Sequence, residues 1–304
     1  MHILITGGAG FIGSHLTERL LAEGHAVRIL DNLSTGRREN LPSHLRLEFV
    51  EGDIRTKDAM AVVSGVDAIY HLAAVASVQA SVDDPLGTHE TNLVGTLNLL
   101  EAARRHGVRR LVYASSAAVY GNTAELPVSE QAATRPLTPY AADKLAGEHY
   151  IDFYARTHGV ATTAFRFFNI YGPRQDPSSP YSGVISIFVD RMRRNLPVTI
   201  FGDGQQTRDF VYVGDLAEFL GLVLSNKHAV GQVLNVGRGI ECSLLELLGE
   251  LEKLAGRGIE RRHEPARAGD IRRSRAEVTR LRQVFGRLPH TPIGTGLAKL
   301  LASL

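Results

Sequence analysis

The chain begins with a short apolar run that leads directly into a glycine-rich turn and then into an amphipathic stretch. The run is His2–Thr6, and the turn is GGAGFIG at positions 7 to 13. Glycines at 7, 10 and 13 permit a tight turn, let backbone N–H groups approach a pyrophosphate, and let the next helix lie close on the strand. This order of strand, glycine turn and helix predicts a dinucleotide site.

The glycines are spaced GxxGxxG, and a glycine triplet alone is also compatible with a flexible turn. Asp31 favours the dinucleotide site because it ends the second predicted strand, 18 residues after Gly13. A carboxylate there accepts hydrogen bonds from ribose hydroxyls. It also repels a 2′-phosphate, so the sequence predicts NAD as the cofactor. Arg37 and Arg38 follow closely and leave NADP as an alternative.

The first half of the chain alternates β-branched or aliphatic runs with amphipathic stretches of helical length. The predicted strands are residues 2–6, 26–31, 47–52, 68–73, 110–114 and 161–168, and the predicted helices are residues 12–23, 58–63, 90–106, 140–159 and 215–225. This βαβα order is typical of a parallel, doubly wound sheet. The sequence thus predicts an α/β fold of the Rossmann type.

Beyond residue 168 the alternation weakens. Gly, Pro, Asp and Ser cluster at 172–183 and again at 202–204, which indicates long functional loops. We predict that residues 1–168, with a returning segment at about 205–235, form an NAD-binding Rossmann domain. The sequence assigns residues 169–204 and 236–304 to a smaller, interleaved C-terminal lobe that binds the substrate.

Composition restricts the classes of protein to which the chain can belong. With 304 residues, 44% of them hydrophobic and 22% charged, it can bury a full core and is not mainly disordered. Its one cysteine, Cys242, excludes an intrachain disulfide and favours a reducing cytoplasm. No stretch resembles a signal peptide or a membrane span, so we expect a soluble, cytoplasmic protein that does not bind a membrane.

The charge distribution bears on partners. Residues 251–304 carry 12 Lys and Arg against 5 Asp and Glu, although the whole chain has a net charge of only +2. A solvated helix face, an anionic small substrate or a nucleic acid could each account for this excess. A nucleic-acid surface would interleave basic and aromatic residues, but the segment contains only Phe285, so no nucleic acid is predicted. The 12 histidines are scattered, and no metal is predicted.

Three polar residues form a candidate catalytic group. Tyr140 and Lys144 lie four positions apart at the start of a predicted helix, so they project from one face. An ammonium group beside a phenol favours the phenolate, and we expect Lys144 to lower the pKa of Tyr140 from about 10 towards neutrality. The pair alone is also compatible with a solvated helix surface.

Ser116 lies at the end of a predicted strand, at the carboxyl edge where ligands of open α/β folds bind. A serine hydroxyl there can hydrogen-bond a reacting sugar oxygen. Together with Tyr140, Lys144 and the glycine turn, it predicts removal of a proton from a secondary alcohol, coupled to hydride transfer to a nicotinamide.

Further motifs are spread along nearly the whole chain. They are TGGAGFIG at 6–13, DNL at 31–33, GDI at 52–54, HLAA at 71–74, SSAAVYG at 115–121, PYAADKLAGE at 139–148, FRFFNIYGPRQ at 165–175 and FGDGQQTRDFVYVGD at 201–215. In this order they resemble the extended short-chain dehydrogenases/reductases that act on nucleotide sugars.

Within that family the resemblance is closest to the UDP-glucose and UDP-N-acetylglucosamine 4-epimerases. Dehydratases carry an Asp-Glu pair at the positions of Ala117 and Ala118, and decarboxylases carry Glu at the second. Two alanines cannot move protons, which leaves a site able to oxidise and re-reduce C4 of the sugar. A decarboxylase or reductase of the same fold, or a protein that binds NAD without turnover, are the alternatives.

The resemblance also implies roles for individual residues. Tyr140 takes the 4-OH proton, Ser116 orients that hydroxyl, and Lys144 holds the phenolate and the nicotinamide ribose. The implied cofactor-binding residues are Gly7, Gly10, Phe11, Ile12, Gly13, Asp31, Asn32, Asp53, Ile54, Ala73, Asn92, Tyr140, Lys144 and Phe167. The implied UDP-sugar-binding residues are Ser77, Ser116, Asn169, Val184, Arg208, Arg267, Asp270 and Ser274.

Ser274 bears on which sugar the site accepts. Glucose-restricted relatives carry a bulky tyrosine four residues after the aspartate that corresponds to Asp270, where this chain has Ser274. The smaller residue leaves room for a 2-acetamido group, and the loop at 175–185 also resembles that of relatives acting on N-acetylglucosamine. We therefore expect interconversion of UDP-GlcNAc and UDP-GalNAc, with UDP-Glc and UDP-Gal as the alternative pair.

Two further expectations follow from the resemblance. Many relatives have serine where this chain has Asp143, and the aspartate adds a negative charge beside Lys144. Relatives of this kind form homodimers through an intersubunit four-helix bundle. We expect the same assembly here, through the helices near 92–106 and 140–157.

Overall fold

A computed structural model describes residues 1–177, 183–266 and 271–304. Its strands are β1 (His2–Thr6), β2 (Ala26–Asp31), β3 (Leu47–Glu51), β4 (Ala68–His71), β5 (Arg110–Ser116), β6 (Ala161–Phe167), β7 (Asn169–Tyr171), β8 (Val198–Phe201), β9 (Thr207–Arg208), β10 (Phe210–Tyr212), β11 (Gln232–Val236), β12 (Cys242–Ser243) and β13 (Arg261–Glu264). Seven of them form one sheet in the order β11-β6-β5-β4-β1-β2-β3. The pairs β1–β2, β1–β4, β2–β3 and β4–β5 are parallel, which confirms the predicted Rossmann-type α/β fold.

Ten α-helices accompany the strands in the described residues. They are α1 (Phe11–Ala22), α2 (Val78–Asp83), α3 (Pro85–His89), α4 (Gly95–Arg105), α5 (Pro139–His158), α6 (Val184–Arg193), α7 (Val213–Leu222), α8 (Leu244–Ala255), α9 (Thr279–Phe285) and α10 (Ile293–Ala302). No helix in residues 1–177, 183–266 and 271–304 has both the length and the apolar character needed to cross a membrane.

Two predicted helices differ from what is observed. Residues 90–106, expected as one α-helix, divide into a π-helical turn (Glu90–Val94) and α4. Residues 58–63 form a 3₁₀ helix instead of an α-helix. Hydrophobic spacing indicates which face of a segment is buried, but it does not distinguish α, 3₁₀ and π turns over such short lengths.

Helix α5 carries two of the three candidate catalytic residues, and its ends are fixed by local chemistry. Thr138 caps the first turn by accepting the N–H of Ala141 at 3.3 Å, and Pro139 occupies the first helical position. Gly159 ends the helix with a φ of +70°, the left-handed conformation that glycine adopts without strain. The sequence therefore fixes where the helix begins relative to Tyr140.

The chain divides into two compact units. The first comprises residues 1–119, 134–166 and 217–234, and the second comprises residues 120–133, 167–216 and 235–304. The core of the first unit lies on the large sheet and includes Leu4, Leu30, Ile69, Leu99, Leu111 and Ile151. The core of the second unit includes Phe188, Val198, Phe210, Leu247 and Leu297.

Residues 120–133 and about 205–216 group with the second unit, whereas the sequence assigned them to the first lobe. In the second unit, Val128 forms a bridge with Ala276, and the Asn235 amide donates to the carbonyl of Val128 at 2.9 Å. Strand β10 pairs in parallel with β7. These contacts join positions far apart along the chain, so local sequence patterns do not reveal them. That the first unit binds the cofactor and the second binds the nucleotide sugar stays a prediction.

Candidate active site

The turn between β1 and α1 has a shape that only glycine permits at two positions. Gly7 has a φ of +72°, and a Cβ on it would lie 2.7 Å from the backbone nitrogen of Ala73. A Cβ on Gly13 would lie 2.2 Å from the carbonyl oxygen of Gly7. Gly10 caps α1 without a side-chain hydrogen bond, and no acidic residue occupies the first turn. The first N–H groups of α1 thus remain available to an anion, as a dinucleotide pyrophosphate requires.

Asp31 helps to shape this turn. Its two carboxylate oxygens accept the backbone N–H groups of Ala9 and Leu33, each at 2.9 Å. A carboxylate oxygen accepts more than one hydrogen bond, so these bonds leave Asp31 able to accept from ribose hydroxyls as well. The ribose contact itself stays a prediction.

Two of the predicted cofactor-binding residues, Asn32 and Asp53, belong to a small polar network. The Asn32 amide donates to Asp53 at 3.1 Å, and the Arg55 guanidinium donates to the same carboxylate at 2.7 Å. The bond from Arg55 is the main cause that lowers the pKa of Asp53 to about 2. Arg55 was not among the predicted residues, although an arginine two residues after an aspartate is a detectable signal. Ile54, by contrast, is buried in the apolar core beside Gly95.

Other predicted cofactor and sugar residues hold the loop after β4. The Asn92 side chain accepts the N–H of Val75 at 2.8 Å and donates to its carbonyl at 3.1 Å. The Ala73 N–H donates to the Thr6 hydroxyl at 3.3 Å. Ser77 caps α2 by accepting the N–H of Ala80 at 3.0 Å. Asn92 and Ser77 therefore have clear structural roles, and their contacts to cofactor or sugar stay predictions.

The first unit brings Ser116, Tyr140 and Lys144 together. Ser116 ends β5, and its hydroxyl is close enough to the phenol of Tyr140, in the first turn of α5, to influence the pKa of that phenol. Lys144 lies one turn further along α5, with Nζ 6.0 Å from the centroid of the Tyr140 ring. Its ammonium donates to the carbonyl oxygen of Ala114 on β5 at 2.8 Å. This is the cluster that the sequence predicted.

The expected effect of Lys144 on Tyr140 is wrong in this structure. Burial is the main influence on the Tyr140 phenol and raises its pKa, while the Ser116 hydroxyl acts in the opposite direction. Lys144 is not among the influences on the Tyr140 pKa, and its ammonium donates to the Ala114 carbonyl. The position of an ammonium group depends on the strand beneath the helix, which the YxxxK spacing does not specify.

Lys144 is itself strongly affected by its surroundings. The residue is 4% exposed, and burial lowers the pKa of its ammonium from 10.5 to about 8, partly opposed by the charge of Asp143. The folded protein thus binds this proton less tightly than the unfolded chain does. Below pH 8 the buried charge is a constant cost, and between about pH 8 and 10.5 that cost is relieved as the folded state loses the proton first.

We therefore expect Lys144 to make the free energy of unfolding rise with pH between about 8 and 10.5. The difference between the two pKa values corresponds to about 3 kcal/mol over the whole window. Urea unfolding of wild type and Lys144→Met at several pH values measures this contribution as a difference in slope. Lys227→Met, at an exposed position, should keep the wild-type slope. Equal slopes for wild type and Lys144→Met would contradict a depressed lysine pKa.

The second unit holds most of the predicted substrate residues. The Arg208 guanidinium donates to the carbonyls of Thr207 and Ile271 at 2.8 and 2.7 Å. Asn169 begins β7, Val184 begins α6, and Ser274 is partly buried in the segment after residue 270. Arg208 is thus brought to the start of the segment that carries Ser274. Arg267 and Asp270 lie outside the described residues.

Asp209 was not among the predicted site residues, yet it organises this part of the second unit. Its carboxylate accepts the backbone N–H groups of Arg238, Gly239 and Ala276 at 2.8, 2.9 and 3.1 Å. Burial raises the pKa of this carboxyl, and the three N–H donors act against the increase. Asp209 thereby connects the residue after Arg208 to the segment just beyond Ser274. An acidic residue inside the apolar alternation of TRDFVYV is the signal that could have identified it.

A cavity of about 390 Å³ in the second unit contains none of the predicted site residues. Phe210, Arg238, Cys242, Glu250 and Ile293 are among its lining residues. Burial raises the pKa of the Cys242 thiol to about 11, which disfavours the reactive thiolate. Among the described residues, no group of three His, Cys, Asp or Glu side chains is arranged to hold a metal ion.

Comparison with known proteins gives a consistent result. Residues 3–237 match the NAD-dependent epimerase/dehydratase family. The chain is 43% identical over 305 residues to a UDP-glucose 4-epimerase of Mycolicibacterium smegmatis, covering 98% of this chain and 97% of that protein.

Solved structures are similar along the whole length. The UDP-N-acetylglucosamine 4-epimerase of Methanobrevibacter ruminantium, in complex with UDP-N-acetylmuramic acid, has a TM-score of 0.95 at 32% identity, covering 99% of this chain and 97% of that one. The UDP-glucose 4-epimerase of Thermus thermophilus, in complex with NAD, has a TM-score of 0.91 at 40% identity, covering 100% and 98%. The family description and these similarities confirm the predicted fold and NAD as the cofactor.

Proposed function

Because the chain belongs to the NAD-dependent epimerase/dehydratase family, we propose that it inverts C4 of a UDP-sugar through a transient 4-keto sugar. The observation that carries the proposal is the cluster of Ser116, Tyr140 and Lys144, together with the two alanines that follow Ser116 in the chain. Ala117 and Ala118 begin the 3₁₀ turn directly after Ser116. They provide no acid or base for elimination or decarboxylation, so oxidation and reduction at C4 is the chemistry that these residues support.

The roles follow from the geometry of the cluster. Tyr140 takes the proton of the sugar 4-hydroxyl. The Ser116 hydroxyl, which lies close to the Tyr140 phenol, orients the sugar 4-oxygen. Lys144 holds a positive charge beside the phenol and can donate to the ribose of the cofactor. When bound, NAD accepts the hydride from C4 and returns it. Arg208, with Arg267, is proposed to retain the diphosphate while the sugar turns over, because guanidinium groups match phosphate oxygens.

We further propose that the favoured substrates are UDP-GlcNAc and UDP-GalNAc. Ser274 supports this proposal, because a small side chain leaves more room than a tyrosine for a 2-acetamido group. Relatives named for both kinds of sugar are similar to the chain along its whole length, so the size of the side chain at 274 is the distinguishing feature. UDP-Glc and UDP-Gal are the alternative pair.

The test is NMR of the purified protein incubated separately with UDP-GlcNAc and with UDP-Glc, without added reductant. Formation of the galacto epimer from UDP-GlcNAc at an equal or greater rate supports both the reaction and the preference. Conversion of UDP-Glc alone contradicts the preference and leaves the reaction intact. Conversion of neither sugar would favour the alternatives, a decarboxylase, a reductase or a protein that binds NAD without turnover.

Replacing Ser274 by tyrosine should restrict the substrate range. The larger ring is expected to lower kcat/KM for UDP-GlcNAc by about 10- to 200-fold, the range that one misfitting group produces in a pocket. The value for UDP-Glc should change by less than about threefold. Ser274→Ala, which keeps the small volume, is the matched control and should leave both values near those of the wild type. An equal loss for both sugars would show that residue 274 does not sense the 2-substituent.

We also propose a homodimer built on α5 and the preceding helical segment. Val94, Tyr150 and Phe153 are apolar residues there that are 39%, 39% and 46% exposed, and a second copy would cover them. Phe153→Glu should yield a monomer in sedimentation velocity, since it places a charge in that surface. Leu45→Glu, at a fully exposed site in a loop, should sediment as the wild type does. A monomeric wild type would contradict the proposal.

A further inference from the structure

One polar contact joins α5 to a neighbouring helix beside the catalytic cluster. Nδ1 of His89, the last residue of α3, lies 2.8 Å from Oδ1 of Asp143 on α5. The Asp143 side chain is 8% exposed and that of His89 is 49% exposed. The other carboxylate oxygen of Asp143 is buried without a hydrogen-bond partner in the described residues. The contact with His89 therefore determines where this buried carboxylate lies on α5.

Asp143 directly precedes Lys144 and is the group whose charge favours the ammonium form of that lysine. Burial lowers the pKa of Lys144 to about 8, and the charge of Asp143 acts in the opposite direction. The ammonium donates to the neutral carbonyl of Ala114, and within the described ranges it forms no ion pair with a carboxylate. The buried lysine thus relies on a charge that is near it without being bonded to it.

The other titratable groups around this pair carry no competing negative charge. On β5, the Tyr113 ring lies 5.0 Å from Nζ of Lys144, and burial raises the pKa of its phenol well above the usual value. Tyr140 on α5 is likewise kept neutral by burial. On β4, burial lowers the pKa of His71 to about 3, so its ring is uncharged near neutral pH.

The nearby carboxylates have other partners. Glu90, which follows His89 on the π-helical turn, lies 3.8 Å from the Arg55 guanidinium. Glu148, one turn beyond Lys144 on α5, forms a buried ion pair with Arg166. On α2, Asp83 accepts from the Gln79 amide. Asp143 is therefore the carboxylate whose charge is left to act on Lys144.

We propose that His89 and Asp143 form a positioning pair that keeps Lys144 protonated. The His89 ring, as the Nδ1–H tautomer, donates to Asp143 and fixes the position of its carboxylate, and the charge of that carboxylate favours the ammonium form of Lys144. This inference rests on the proposed function where it concerns turnover, because a protonated Lys144 is what the epimerisation site uses.

The test uses three substitutions. Asp143→Asn keeps the shape and removes the charge. His89→Leu removes the donor, and His89→Gln keeps an N–H donor in its place. The first measurement is kcat/KM for epimerisation between pH 6 and 10. Without the charge of Asp143, Lys144 loses its proton at lower pH. The fall of kcat/KM on the alkaline side of the pH profile, its alkaline limb, should therefore begin about one pH unit lower in Asp143→Asn. His89→Leu should move it in the same direction, and His89→Gln should restore the wild-type limb.

A second measurement does not depend on activity. Urea unfolding gives the free energy of unfolding of each protein with and without Lys144→Met, and the difference is the contribution of Lys144. As the pH rises, this contribution should begin to increase at lower pH in Asp143→Asn than in wild type. If Asp143→Asn does not fold, Asp143→Ser provides the uncharged variant. Unfolding tests the pair even if the wild type converts no UDP-sugar, the outcome that would defeat the proposed function alone.

Either of two results would overturn the effect of Asp143 on Lys144. One is an onset of the stability gain at the same pH in wild type and Asp143→Asn, which would show that Asp143 does not act on Lys144. The other is a loss of activity that is uniform across pH in all three variants, with the alkaline limb unmoved, as a purely structural contact would give. Equal shifts in His89→Leu and His89→Gln would likewise remove His89 from the pair.

Discussion

Tyr140→Phe is expected to lower kcat for UDP-sugar epimerisation by about 10²- to 10⁴-fold, the contribution typical of a positioned acid–base group. The substitution removes only the phenol oxygen that would take the 4-hydroxyl proton. Tyr140 is buried at the start of α5, and phenylalanine fills the same volume. Folding should be little affected, because the substitution removes one hydroxyl and at most one hydrogen bond, a contribution of about 1 kcal/mol. NMR of the sugar 4-position measures turnover directly.

Tyr120→Phe is the matched control for this experiment. Tyr120 is also buried, but its hydroxyl donates to the Asn235 side chain at 2.6 Å within the second unit. Its removal should cost about 1 kcal/mol of stability and change kcat by no more than about threefold. Binding of the reduced cofactor, NADH, measured by its own fluorescence, should persist in both variants. More than a tenth of the wild-type kcat in Tyr140→Phe would reject Tyr140 as the group that moves the proton.

Because the pKa of Tyr140 is raised, the site has to promote ionisation of the phenol before Tyr140 can accept a proton. A phenol that is neutral at pH 7 has to lose its proton before it can act as a base. Burial opposes that loss, and the Ser116 hydroxyl is the influence that favours it. Ser116 should therefore matter for the ionisation of Tyr140 as well as for orienting the substrate. The proposed role of Lys144 is to donate to the ribose of the cofactor, which connects turnover to the His89–Asp143 pair.

The features of the fold and of the candidate site whose geometry agrees with the sequence-based expectations depend on local sequence. The glycine turn was recognisable because Gly7 and Gly13 lie between an apolar run and an amphipathic stretch, and the observed close approaches occur at these two positions. The parallel, doubly wound character of the sheet followed from the alternation of strands and helices. Ser116 was placed correctly because a polar residue ending a buried strand lies at the carboxyl edge of the sheet.

The parts that were missed or wrong depend on contacts between distant positions. The direction of the Lys144 ammonium is set by the Ala114 carbonyl, 30 residues earlier in the chain. Residues 120–133 join the second unit through Val128 and its bridge to Ala276. Periodicity and motif spacing describe neighbours along the chain, so they contain no information about such pairs. The buried charges are the clearest example, since a sequence does not show which of its acidic and basic residues meet.

One such contact between oppositely charged side chains lies beneath α5, the helix that carries Tyr140 and Lys144. Arg166 on β6 donates to both carboxylate oxygens of Glu148 on α5, at 2.9 and 2.7 Å, and both side chains are almost fully buried. The Ser115 hydroxyl donates to Glu148 at 2.5 Å. The network ties α5 to β5 and β6 one turn beyond Lys144. It thus fixes the position of the helix that presents the catalytic residues to Ser116.

Glu148→Leu is therefore expected to lower the free energy of unfolding by about 3–5 kcal/mol, because it leaves the Arg166 guanidinium buried without its partner. Arg166→Leu should have a similar effect for the opposite reason. Adding Arg166→Leu to Glu148→Leu removes the uncompensated charge, so the double variant should be more stable than either single variant. Urea unfolding at pH 7.5 measures all three.

The control for this series is Asp152→Leu, which breaks the exposed ion pair with Arg156 on the same helix and should cost less than about 1 kcal/mol. A double variant no more stable than the single ones would show that the pair stabilises the fold by attraction. Recovery of stability without recovery of kcat would separate two roles. In that case the ion pair adds little net stability, and its function is to hold α5 in the register that places Tyr140 beside Ser116.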